Sequence, residues 1–419
     1  MKIKTIKANE ILDSRGIPTV SVEVELENGV KSFASVPSGT STGVYEAHEL
    51  RDGDKTRHKG KGVLKACENI EKLIAPKMVG VSVFEQVQID EMMLDIDGTT
   101  SKEKLGANAM LAVSLATIRA HSVVKDEELY ETISRVYGLK GSKVPSPLAV
   151  IIEGGSHSDS NADIQEYMIE LGNEDFDKTI RRITLVYESL EEVLKDNGKN
   201  TNVGFEGAFG PSLSSNREAL DLIMQAIQKA GLKEGKDVRI ALDIAASEIY
   251  DAESKKYLLR SEDIALTSHQ MTAYLEEISR SYPILSIEDG MAEDDWEGWQ
   301  HLNECLGDKV ILVGDDLFVT NTERIRSGID RNAANAVLIK PNQIGTVTET
   351  VEAIKMTKFA GWEPIVSHRS GETNDTFIAD LAVAAGCSYI KIGAPTRGER
   401  VAKYNRLSEI AENFSKVKR

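Results

Sequence analysis

The stretch Val310-Ile311-Leu312-Val313-Gly314-Asp315-Asp316 is an apolar run of strand length ending on carboxylates, and Ala336-Val337-Leu338-Ile339-Lys340 repeats it with an ammonium at its end. A longer amphipathic segment of helix length lies between them. Strand, helix and strand in that order form a βα unit. The same alternation runs through the chain after Val144-Pro145-Ser146-Pro147, with further apolar runs at 148–152, 238–244, 284–288, 364–367 and 388–391. No Gly/Ser-rich linker interrupts them, so the pattern predicts one α/β domain built on parallel strands.

Ionisable residues stand at the C-terminal ends of these runs: Asp243, Glu288, Asp315, Lys340, His368 and Lys391. Their spacings, 45, 27, 25, 28 and 23 residues, suit one βα unit each. In a parallel barrel those ends converge on one face, where barrel active sites lie. Asp243, Glu288 and Asp315 would there offer three hard oxygen ligands, which suits magnesium. The plainer reading is that acidic strand ends are common in a chain with 67 acidic residues, and that Asp289 or Asp316 merely caps the next helix. Recurrence on three consecutive strand ends favours the metal site. Lys340 and Lys391 would sit beside it, where neighbouring positive charge lowers a lysine pKa and makes a base; a strand-end lysine that only covers apolar neighbours is the alternative.

Ser367-His368-Arg369-Ser370-Gly371-Glu372 joins guanidinium, hydroxyl and imidazole groups, and is read as a phosphate or carboxylate cradle immediately before a helix. Gly154-Gly155-Ser156-His157 and the segment from Ser38 to Gly43 are loops that either approach phosphate or serve as plain turns. No phosphate-binding G-x-x-x-x-G-K-[ST] loop, complete dinucleotide fingerprint or nucleophile elbow occurs, which argues against nucleotide hydrolysis and hydride transfer.

Before residue 140 the pattern differs. Val20, Val22, Val24 and Leu26 alternate with polar residues, and Asn28-Gly29 follows, with Val30 and Phe33 beyond, as in a hairpin closed by a tight turn. Residues 61–123 have helical periodicity, clearest from Ala107 to Ala120. A small α+β domain over 1–138 and an α/β domain over 139–419 are expected. The chain is 41% hydrophobic and 28% charged over 419 residues, enough for a large core. Its formal charge of −17 and its lack of a basic stripe argue against nucleic acid as a partner. No stretch reads as a membrane span, Met1 to Lys7 lacks a signal-peptide core, and Cys67, Cys305 and Cys387 fit no disulfide framework, so a cytoplasmic location is expected.

The chain resembles the enolases. Asp13-Ser14-Arg15-Gly16, Val36-Pro37-Ser38-Gly39-Thr40-Ser41-Thr42-Gly43, Gln165-Glu166, Gly314-Asp315-Asp316-Leu317, Ser367-His368-Arg369-Ser370-Gly371-Glu372 and Ile390-Lys391-Ile392-Gly393-Ala394-Pro395 are similar to enolase segments and stand in the same order, from Ile11 to Tyr404. The resemblance implies a small N-terminal α+β domain followed by a modified eight-stranded α/β barrel. The implied activity is the reversible dehydration of 2-phosphoglycerate to phosphoenolpyruvate in glycolysis and gluconeogenesis. It implies two magnesium ions, the first on Asp243, Glu288 and Asp315, the second joined by Ser41 as substrate arrives. Lys340 is then the base and Glu206 the acid, with Glu166 beside it. Gln165, His368, Arg369, Ser370 and Lys391 match substrate-binding positions, as does His157 in a closing loop over 155–163. Use of a lysine or histidine base with one or two magnesium ions is a property of that superfamily. A homodimer or octamer is the family expectation.

The chain departs from the usual pattern at Phe205, which stands for Asp, at Gly207-Ala208 and Gly210-Pro211-Ser212, at Glu153 for Asn, Gly290 for Pro, Pro341 for an aliphatic residue and Ile17 for Asn. Two rival readings follow. One is a superfamily lyase or racemase acting on an unphosphorylated acid; the other is a fold-retaining binding protein, with surface plasminogen binding as in relatives and Lys416 to Arg419 as its weak hint.

Overall fold

The computed structural model describes residues 1–39, 43–141, 143–172 and 175–417. An antiparallel sheet of β1 (Ile3–Leu12), β2 (Pro18–Leu26) and β3 (Lys31–Ser35) begins the chain. The expected turn joins β2 to β3: the Leu26 N–H donates to Val30 O and the Gly29 N–H to Leu26 O, both at 2.9 Å, with Gly29 at φ +86°. Val20, Val22, Val24 and Leu26 are fully buried, as their alternation implies, whereas Phe33 faces out and Ser32 and Ala34 face in. β1 escapes sequence reading because only Ile3 and Ile6 of its ten residues are buried, so little alternation marks it.

Helices Leu64–Asn69, Gln86–Asp97, Ala107–Lys125 and Leu129–Tyr137 complete this region, and the third packs on β2 and β3. Ala107–Lys125 corrects one expectation, since by length and composition it is apolar enough to cross a bilayer. From Ala107 to Ala120 its apolar residues are instead buried all round as a core helix, which is why the stripe seen in its sequence is so wide.

The rest of the chain closes into an eight-stranded barrel. Its strands are β4 (Ser146–Glu153), β5 (Glu166–Glu170), β6 (Arg239–Asp243), β10 (Ile284–Glu288), β11 (Ile311–Gly314), β12 (Ala336–Ile339), β13 (Glu363–Ser367) and β14 (Tyr389–Lys391). A side sheet of β7 (Tyr250–Asp251), β8 (Lys256–Leu259) and β9 (Ile264–Leu266) falls between β6 and β10; its strands were too short to read. From β5 onward α-helices stand between successive barrel strands, whereas only a short turn of helix, Gly155–His157, separates β4 from β5; the wall strands are apolar without alternation because both faces are covered.

The barrel is not wholly parallel. β5 runs antiparallel to both β4 and β6, and two helices, Phe176–Asp196 and Asn216–Lys229, follow it before β6. Its N-terminal end therefore lies with the C-terminal ends of its neighbours. The register places Glu153 opposite Glu166, Glu166 opposite Asp243 and Asp243 opposite Glu288, so four carboxylates form a row across four adjacent strands.

The two regions are joined at the same end. Ser38 and Gly371 exchange backbone hydrogen bonds of 2.8 and 3.0 Å, and Asp90 accepts the N–H (3.0 Å) and hydroxyl (2.6 Å) of Thr348, capping the barrel helix Val347–Phe359 from outside it.

Candidate active site

Lys391, ending β14, reaches across the barrel mouth into the carboxylate row. Its Nζ lies 2.8 Å from Asp243 Oδ2, 2.9 Å from both Glu288 oxygens and 3.1 Å from Glu166 Oε2. All four groups are buried. Burial works against the ammonium, but Asp243, Glu166 and Glu288 outweigh it and hold its pKa well above the usual value. Lys391 is thus a fixed positive charge.

Lys340 follows β12 with an extended backbone (φ −123°, ψ 105°), and Pro341 opens the next short helix at the position where a missing N–H costs nothing. Its ammonium pairs with Asp315 Oδ2. Among the protein's own groups, burial and the nearby Arg369 and Lys391 press the Lys340 pKa down, but Asp315 outweighs them and it is raised; the lowering expected beside a bound cation concerns the loaded site. Gln343, which sequence reasoning missed, donates to Asp315 Oδ1 at 3.0 Å.

Asp289 does not cap the following helix; Asp295 does that. Its carboxylate accepts the N–H groups of Asp315 and Asp316, both at 2.9 Å, and straps β10 to the end of β11. Asp289 adopts φ +44°, an uncommon conformation for a residue with a side chain, which the strap fixes.

Glu206 enters from the loop between the two helices after β5, where no strand pattern signals it. Its Oε2 lies 3.0 Å from His368 Nε2 and its Oε1 3.7 Å from His157 Nδ1, which is 3.3 Å from Glu166 Oε1. Arg400, also missed, meets His368 Nδ1, so that nitrogen accepts and Nε2 carries the proton toward Glu206. Burial, aided by Arg400, lowers the His368 pKa and keeps the ring neutral. Burial also opposes charge on His157, but Glu166 and Glu206 push it up to about 9. The surrounding His368, His157 and Arg400 overcome burial to hold Glu206 well below the usual carboxylate range.

Arg369 forms two hydrogen bonds of 3.0 Å with Glu46, a third missed residue, and one of 3.0 Å with Asn342. No helix begins at Ser370; the next starts at Phe377, so the expected helix-end cradle is absent. The segment is held instead by Ser38 and by Arg400, which donates to the carbonyls of Arg369 and Ser370 at 2.6 Å. Gln165, whose Nε2 lies 3.4 Å from Asp243 Oδ2, and Ser370 line the same cavity. That cavity brings together His157, Glu166, Glu206, Asp243, Asp315, Lys340, His368, Arg369 and Lys391; Glu288 reaches it only through Lys391. Ser41 falls outside the described residues.

The donor set suits a hard cation. Burial together with neighbouring carboxylates raises Glu288 and Asp289 well above their usual range and Asp316 to about 8, because three lysine and arginine groups face a larger number of acids. Among the described residues Asp289, Asp315 and Asp316 come close enough to share an ion, as do His157, Glu166 and Glu206, whereas Asp243 and Glu288 are drawn together by Lys391. Oxygen ligands of this kind favour magnesium over softer metals.

Two family models match the chain. One, described as "Enolase, N-terminal domain", matches residues 3–133, and one described as "Enolase, C-terminal TIM barrel domain" matches residues 142–419.

Proposed function

The chain belongs to the enolase family, and from that premise we propose that it dehydrates 2-phosphoglycerate reversibly to phosphoenolpyruvate with magnesium bound. The observation that carries this reading is one cavity holding an amine, Lys340, and an acid, Glu206, together with the cations Arg369 and Lys391. Elimination of water next to a carboxylate needs that set: a base for a weakly acidic carbon, an acid for a poor leaving group, and positive charge for the dianion formed between the two steps.

Lys340 Nζ takes the proton alpha to the carboxylate, and the electron pair left behind forms the double bond as the hydroxyl departs. Glu206 gives that hydroxyl its proton and water leaves. Lys340 acts as a base once Asp315 is engaged elsewhere, since Asp315 is what holds its proton. Glu206 acts after taking up a proton from water, and His157, held protonated, stands with Nδ1 3.7 Å from its Oε1. Lys391 is set to counter charge on the carboxylate carbon side, and Arg369 to hold an anion.

Asp243, Glu288 and Asp315 would hold the first magnesium ion, and Ser41 would join the second. The chemistry magnesium supplies when bound is neutralisation of substrate carboxylate and phosphate charge. A homo-oligomer in the cytoplasm completes the proposal. The test is ultraviolet absorbance of phosphoenolpyruvate formed from 2-phosphoglycerate in magnesium buffer. No absorbance there, with dehydration of an unphosphorylated sugar acid, would favour the rival lyase; no turnover of either would favour the binding protein.

A further inference from the structure

Glu153 ends β4 at the head of the carboxylate row, fully buried, and its carboxyl group accepts hydrogen bonds from the loop that carries Glu206. Its Oε1 accepts the N–H of Glu206 at 3.0 Å and that of Ala208 at 2.8 Å, and its Oε2 lies 3.2 Å from the Glu206 nitrogen. The loop folds round this one group. A Cβ on Gly204 would stand 2.2 Å from Glu153 Oε2, so the glycine is what lets the backbone close over the carboxyl. Gly207, at φ +90°, makes the turn that aims both N–H groups inward, and further along Phe209 bonds the backbone of β4.

We propose that Glu153 is a positioning residue for the acid Glu206: by gathering the N–H groups on both sides of the turn it fixes where the Glu206 carboxyl stands between His157 and His368. This inference rests on the dehydration reading. A buried group that accepts two N–H bonds from one loop determines that loop's path, because either N–H left without an acceptor would be costly. The chemistry of the group agrees. Burial, then Glu206, push Glu153 up to about 8 against the pull of His157, so near neutrality it is the acid form, with Oε1 as acceptor. Glutamine copies that form in shape and charge; alanine removes the acceptor.

The experiment compares wild type, Glu153→Gln and Glu153→Ala in steady-state dehydration of 2-phosphoglycerate and in amide hydrogen exchange of peptides covering residues 204–208. The expected result is a fall in kcat of about a hundredfold in Glu153→Ala, with KM within threefold of wild type. Recovery in Glu153→Gln to within tenfold, and faster exchange in the loop but not in the barrel strands, are also expected. A loss confined to KM, a kcat within threefold in Glu153→Ala, or a Gln variant as impaired as the Ala variant overturns the inference. Failure of the wild type to turn over 2-phosphoglycerate is a separate result that strikes the dehydration reading; exchange then decides alone, and unchanged exchange in Glu153→Ala overturns the clamp.

Discussion

Glu46, beyond the N-terminal sheet, and Arg369, buried at the barrel mouth, are joined by two parallel hydrogen bonds of 3.0 Å, with Glu46 itself partly buried. Paired bonds between guanidinium and carboxylate fix orientation as well as charge, so the anion-holding arginine is aimed by a residue from the other end of the chain. Glu46→Ala is therefore expected to raise KM for 2-phosphoglycerate about tenfold, near 1.4 kcal/mol, with little change in kcat. Steady-state kinetics checks it, and a KM within twofold of wild type would show that Asn342 suffices to hold Arg369.

Lys340→Ala and Glu206→Gln remove the proposed base and acid. Each should lower kcat by about 10² to 10⁴ while circular dichroism is unchanged, since neither side chain belongs to the apolar core. A loss below tenfold in either would reassign its role.

Magnesium binding separates the two proposed ion sites. Calorimetry of the free protein should show weaker binding for Asp243→Asn, which removes one charged oxygen ligand. Ser41→Ala should bind as wild type does without substrate, but need more magnesium for turnover. Equal weakening in both variants would contradict this division of ligands.

Stability should carry a pH signature from Asp90. Burial, partly offset by its Thr348 and Ser114 partners, raises its pKa from 3.8 to about 6. The folded chain thus binds a proton at this site that the unfolded chain has lost between those values. Stability from this group is greatest below about pH 4 and falls as pH rises through 6, on the order of a few kcal/mol. Denaturant titrations at pH 4.5 and 7 should show a smaller difference between the two pH values in Asp90→Ala than in wild type, shifted in that direction; an identical difference would remove Asp90 from the account.

Much of the barrel could be read from the chain because its parallel wall strands are buried on both faces and so appear as unbroken apolar runs. β5, with Glu166 and Glu170 at its ends, has no such run, and its antiparallel course leaves no local mark. Asp243, Asp315, Lys340, His368 and Lys391 were legible because each follows a run. Glu206 was found by resemblance alone, since its loop has no period. Glu46, Gln343 and Arg400 act through partners 323, 28 and 32 residues distant, and only the closed fold makes those pairs; Gln343, three residues past Lys340, was the nearest to a readable signal.

The row Glu153, Glu166, Asp243 and Glu288 is assembled from the first four barrel strands, but Lys391, the ammonium that answers three of its members, lies on the last. The counter-charge of three members thus comes from the strand that closes the ring against β4, so the buried charges tie the first strands of the barrel to the last.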